Sequence, residues 1–130
     1  MILFMDDDPQ RAVMAHERMP VADREQTIWC ATAEEAIVTL WDYRDQLTLV
    51  RLDHDLGGES WVNTKREDCG MEVIRYLEKM SRDKPEEFDK LKATHFVVHS
   101  WNSHAAPIMV ERLAKIGLDV EYVPFGMEKK

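Results

Sequence analysis

Residues 2–9 read Ile2-Leu3-Phe4-Met5-Asp6-Asp7-Asp8-Pro9. Four apolar residues that stop abruptly at three carboxylates suit a short buried strand. Asp8 followed by Pro9 then opens a helix, with a carboxylate to accept orphan amide protons and a proline that lacks one. A strand running straight into a helix leaves Asp6 and Asp7 at the strand's carboxyl end. The helix is expected to stop near Met19-Pro20, because the residue before a proline avoids the α region.

The same alternation continues along the chain. Thr27 to Cys30 is β-branched and aromatic, a second strand. Thr32-Ala33-Glu34-Glu35 is a capping box, and Ala33, Ile37, Leu40 and Trp41 recur behind it at helical spacing. Leu47 to Leu52 predicts a third strand, ending in Asp53-His54-Asp55. The polar stretch from Leu56-Gly57-Gly58 to Asp68 exceeds the usual connection in a small α/β domain, and long connections often carry function. Met71, Ile74, Leu77 and Met80 mark a third helix, which Lys84-Pro85 breaks, and Glu86 to Lys92 predicts a short charged helical turn. Thr94 to Val98 is a fourth strand, running into His99-Ser100-Trp101-Asn102. Ser103 is expected to cap a fourth helix bearing Ile108, Met109, Arg112, Leu113 and Ile116, which Gly117 closes. Asp119 to Val123 is a fifth strand, and Pro124-Phe125-Gly126 leads into a charged tail.

Strands separated by single helices predict an α/β fold: one parallel sheet, right-handed crossovers and helices on both faces. Ligands of such sheets bind beyond the carboxyl ends of the strands. Three separate segments therefore converge on one edge: Asp6/Asp7, Asp53/His54/Asp55 and His99/Ser100/Asn102. The 130 residues suffice for one domain, 1–130, and are too few for two. Hydrophobic residues at 45% and charged residues at 32% describe a chain that folds around a core. Seventeen Lys and Arg against twenty-five Asp and Glu give a net charge of −8. That balance argues against broad, non-specific nucleic-acid binding, which needs a basic face, but admits a small phosphorylated ligand held through a metal ion. No apolar run approaches the ~20 residues that cross a bilayer. The acidic opening also lacks the positive leader of a signal peptide. Cys30 and Cys69 stand far apart without metal-ligand spacing. Count alone allows a disulfide, but two buried thiols in a cytoplasmic protein are the expectation. The chain reads as soluble and cytoplasmic.

Several carboxylates brought together raise one another's pKa unless they protonate or a cation compensates them. An all-oxygen set suits Mg²⁺ or Mn²⁺ better than Zn²⁺, and Asp6, Asp7 and Asp53 are the expected ligands. Asp8 reads as a helix cap. His54 and His99 admit two readings, as packed hydrogen-bonded core residues or as a general base and general acid. Ser100 and Asn102 are short donors suited to phosphate oxygens, and Asp55 is a further substrate-side candidate. His104 either meets an anion at the start of the fourth helix or lies on the surface. Trp61 either stacks on a base or covers the core edge. His16 and His95 read as structural or exposed. No Walker or GxGxxG pattern is present.

These residues resemble the receiver domains of two-component response regulators over roughly residues 1 to 126. The opening Ile2 to Pro9 looks like the receiver opening with its Mg²⁺-binding acidic pair. Asp53 lines up with the phospho-accepting aspartate, Gly70 with the glycine that starts the next helix, and Ser100 with the switch Ser/Thr. The resemblance implies a doubly wound, flavodoxin-like sheet of order 2-1-3-4-5. Two departures stand out. Val123 occupies the place of the lysine that a receiver carries before Pro-Phe, and the last receiver helix is expected to be missing. Leu52-Asp53-His54-Asp55-Leu56-Gly57-Gly58 and Val98-His99-Ser100-Trp101-Asn102 are instead similar to the divergent cyclic-phosphate-processing receiver domains.

That resemblance implies a metal-dependent phosphoesterase, a hydrolase opening the cyclic phosphate of a nucleotide or an RNA end. Asp6, Asp7 and Asp53 would hold Mg²⁺ or Mn²⁺. His54 and His99 would move protons, and Ser100 and Asn102 would orient phosphate. Either water or Asp53 is the nucleophile. The alternative is a non-catalytic receiver-like module that binds a phosphorylated ligand or a protein partner. An ordinary phosphorelay receiver comes third, because of Val123.

Overall fold

The computed structural model describes residues 1–54 and 69–124. Their elements follow in the order β1 (Ile2–Met5), α1 (Pro9–Arg18), α2 (Val21–Arg24), β2 (Thr27–Cys30), α3 (Ala33–Asp42), β3 (Leu49–Leu52), α4 (Met71–Asp83), α5 (Pro85–Asp89), a 3₁₀ turn (Lys90–Ala93), β4 (His95–Val98), α6 (Ala105–Lys115) and β5 (Asp119–Tyr122). The strands pair in parallel in the order β2-β1-β3-β4-β5. This is the α/β sheet the alternation predicts.

Helix starts follow local chemistry. Asp8 accepts from Gln10 N at 2.9 Å, with Pro9 at the first helical position of α1. Thr32 accepts from Glu35 N at 3.2 Å, and its hydroxyl donates to Glu35 Oε1 at 3.1 Å. The expectation at the start of α6 needs correction: Asn102, not Ser103, is the cap. Asn102 Oδ1 accepts from His104 N at 3.1 Å and Ala105 N at 2.9 Å, while Asn102 O accepts from Ala106 N. Asn and Ser cap equally well, so adjacent candidates cannot be ranked by residue type.

Two boundaries shift for identifiable reasons. β3 begins at Leu49, because Leu47 N donates back to Tyr43 O and completes the exit from α3. β4 begins at His95, because Thr94 N turns back to Leu91 O and its hydroxyl donates to Leu47 O. The one-turn helix α2 carries no periodic signal and went unanticipated. The residues Gly57–Asp68, with Trp61, and the expected loss of a final helix after Pro124 lie outside the described residues.

Strand alternation sorts side chains to two faces. Leu3, Met5, Val50, Leu52, Phe96 and Val98 pack against Ala36 and Leu40 of α3, Ile74 and Leu77 of α4, and Met109 and Leu113 of α6. Phe4 points the other way, into a smaller cluster with Ala12, Ala15 and Met19 from α1 and its exit. Its burial stabilises the fold by about 1.5–3 kcal/mol and seats α1 on that face. Cys30 and Cys69 are both free and buried. Among the described residues no helix is long and apolar enough to cross a membrane.

Candidate functional site

The sheet register brings the acidic residues together. Met5 lies beside Leu52, so the next residues of β1 and β3 emerge side by side, and Asp53 N donates to Met5 O at 3.1 Å. β4 lies on the other side of β3, and His99 N donates to Leu52 O at 2.9 Å. Asp6 and Asp53 are buried, and Asp7 is half-buried at the rim. Carboxylate oxygens of Asp6, Asp7 and Asp53 lie within 4.8 Å of one another. This donor set is hard and anionic, which fits Mg²⁺ or Mn²⁺.

A residue that sequence reasoning passed over lies among them. Arg11 Nη2 is 3.1 Å from Asp6 Oδ1, 3.4 Å from Asp53 Oδ2 and 3.9 Å from Asp7 Oδ1, and Arg11 Nε is 3.6 Å from Asp8 Oδ2. The choice between protonation and a metal ion overlooked this third solution, a cation supplied by the chain. The signal was present, since Arg11 follows Asp7 by four and Asp8 by three, the spacings that meet on a helix.

The two histidines enter the network differently. His99 is fully buried, stacks on Phe4 with ring centroids 5.0 Å apart, and donates from Nε2 to Asp6 Oδ2 at 3.0 Å. Burial lowers its pKa below the ordinary imidazole range, and Arg51 and Arg11 push the same way against the pull of Asp6. His99 at neutral pH is therefore a neutral ring that fixes one Asp6 oxygen. His54 is also buried, and its backbone N–H donates to Asp53 Oδ1 at 2.9 Å. Asn102 Oδ1 is turned toward the start of α6, so its Nδ2 donates to His54 Nδ1 at 3.3 Å and the ring proton sits on Nε2.

The remaining candidates divide. Ser100 is buried, and its Oγ accepts from Asn102 N at 3.1 Å. Ser100 and Asn102 thus build the turn into α6 that holds His54. His104 is exposed at the start of α6, and Asp55 lies outside the described residues. Asp8 caps α1, and His16 is exposed, both as read from the chain. His95 lies half-exposed at the opposite end of β4, away from the carboxyl edge. Trp29 also went unnoticed: its indole N–H donates to Asp6 O at 2.6 Å while the side chain stays 46% exposed, so an aromatic face stands beside the acidic cluster. Only the pairing of Phe4 with Trp29 across β1 and β2 brings it there.

A protein-family model described as "Cyclic-phosphate processing Receiver domain" matches residues 1–115. The chain belongs to that family. Solved receiver domains share the fold of this cyclic-phosphate processing receiver. The signal receiver domain of a Luxo repressor protein from Vibrio parahaemolyticus superposes with a TM-score of 0.57 at 12% identity, covering 98% of this chain and 78% of that one. The receiver domain of NtrX from Brucella abortus gives 0.50 at 20% identity, covering 98% and 88%. The receiver domain of the Francisella response regulator 1452 gives 0.50 at 17%, covering 97% and 85%. No curated protein matches this sequence. Identities this low speak to the fold alone.

Proposed function

We propose that this receiver domain opens a cyclic phosphate carried by a nucleotide or an RNA end, using a divalent cation held by Asp6, Asp7 and Asp53. The observation that carries the reading is the meeting of those carboxylates with two buried histidines, the His99 ring bonded to Asp6 and His54 bonded to Asp53 through its backbone N–H, with its own ring on Asn102. The cation, Mg²⁺ or Mn²⁺, would offset negative charge on the phosphoryl oxygens. The rest of the chemistry falls to the chain. His99 holds Asp6 in one orientation. His54 would relay one proton: its Nδ1, on parting from Asn102, takes the proton that water loses on attacking phosphorus, and passes it to the departing ribose oxygen as that P–O bond breaks. Ser100 and Asn102 act through His54, keeping its ring in one tautomer. Asp53 is the alternative nucleophile, through an acyl phosphate that water then hydrolyses.

A second reading has its own support. Both imidazoles are enclosed, and Arg11 already neutralises part of the acidic cluster. Those features suit a module that binds a phosphorylated ligand or a protein partner without turning it over. One experiment separates the two. With Mn²⁺ and a 2′,3′-cyclic nucleotide, phosphorus resonances are expected to pass from the cyclic ester to a monoester. His54→Ala is expected to slow this by about 10²–10⁴-fold. Saturable binding without product would favour the module, and full turnover by a His54→Ala, His99→Ala double variant would remove the proposed chemistry.

A further inference from the structure

An acidic cluster can be neutralised from outside or by a cation the chain brings with it, and here the chain brings Arg11. The guanidinium reaches three carboxylates with one nitrogen and Asp8 with another, at 3.1 to 3.9 Å. Asp6 and Asp53 are almost wholly enclosed, whereas the Arg11 side chain is 24% exposed. It therefore leans into the cluster from the solvent side, on the first turns of α1, with an outward path available.

A divalent ion held by Asp6, Asp7 and Asp53 would bind their oxygens directly. A guanidinium nitrogen held against the same three side chains would then be a like charge in near contact with the ion. The two cations compete for one position. We propose that Arg11 is a built-in counter-cation, which holds the acidic site together while no metal is bound and yields its position to the divalent ion. Loading of the ion and release of the Arg11 side chain are then one event, and each disfavours the other by the same factor. The consequence is a site tuned to weaker metal affinity than its carboxylates alone would give. This inference rests on the reading of Asp6, Asp7 and Asp53 as a divalent-cation site.

The test is Mn²⁺ binding by calorimetry and by electron paramagnetic resonance in wild-type protein and Arg11→Met. The variant is expected to bind Mn²⁺ about tenfold more tightly or better, a tenfold change being a modest free-energy difference for removing a competing charge. Equal or weaker binding by Arg11→Met, beside a wild type that still binds, overturns the counter-cation and leaves the metal site standing. Binding by neither protein removes both. Because the uncompensated carboxylates can unfold Arg11→Met, the wild type supplies an independent measure. In ¹⁵N-arginine-labelled protein, the Arg11 Nε–H resonance, assigned through Arg11→Lys, is expected to move toward that of a solvent-exposed guanidinium as Mg²⁺ is added. Its midpoint should match that of the Asp6–Asp8 backbone amides. An Arg11 resonance that stays in place while those amides titrate overturns the proposal.

Discussion

At Gly70 the chain returns to the end of β3 and passes so close that a side chain has no room. A Cβ there would stand 2.0 Å from Asp53 O and 2.7 Å from His54 Cα, and Gly70 N donates to His54 O at 2.8 Å. Gly70→Ala is expected to displace the Asp53–His54 backbone and to cost about 1–3 kcal/mol, read by urea unfolding, with weaker Mn²⁺ binding beside it. Unchanged unfolding and binding would mean that Asp53 is not held by this contact. The glycine itself was legible through its resemblance to receivers, but what it touches was not. Arg11 is similar. Its spacing from Asp7 and Asp8 can be read from the chain, yet its contact with Asp53, 42 residues away, depends on how β1 and β3 pair. His99 shows the converse: the residue type suggested acid–base work, and burial against Phe4 and Asp6 makes it a fixed neutral donor.

Among the elements, β5 is an edge strand with Asp119 and Glu121 exposed along one face. His95 of β4 reaches both, with Nδ1 2.9 Å from Asp119 Oδ2 and Nε2 2.8 Å from Glu121 Oε1. Glu121 and then Asp119 raise its pKa, against the opposing effect of burial. The protonated ring donates to both carboxylates and pins the edge strand. A raised folded-state pKa makes this contribution complete below about pH 6.5, the ordinary imidazole value, and lost as pH rises through the folded-state value. The advantage of wild type over His95→Gln in thermal unfolding is therefore expected to shrink as pH rises from about 6 to about 9. A constant difference across that range would show that the ring's charge contributes nothing. Elements were the most legible level of this protein, because strand runs, caps and helical spacing are local. The misplaced cap at Ser103 and the late start of β3 arose where adjacent residues offered equal local options.

For the whole molecule, net charge −8 and an acidic cluster at the sheet edge lead to the expectation that divalent cations stabilise the fold. Mg²⁺ or Mn²⁺ at about a hundredfold excess over its Kd is expected to add roughly 2.7 kcal/mol, seen as a higher Tm that NaCl of matched ionic strength does not reproduce. Asp53→Asn should abolish the difference between the salts, and a Tm indifferent to divalent ions would count against the metal site. The amino-acid sequence by itself determined the alternation of strands and helices, the strand ends that carry Asp6, Asp53 and His99, and the family pattern of the two histidine-bearing segments. Those properties depend on neighbours within a few residues, where hydrophobic period and cap chemistry act. The tertiary structure alone decided that Arg11 shares the acidic cluster, that Asn102 orients His54, and that Trp29 stands beside Asp6. Such partners are chosen by sheet order and register, which bring distant residues within hydrogen-bonding reach.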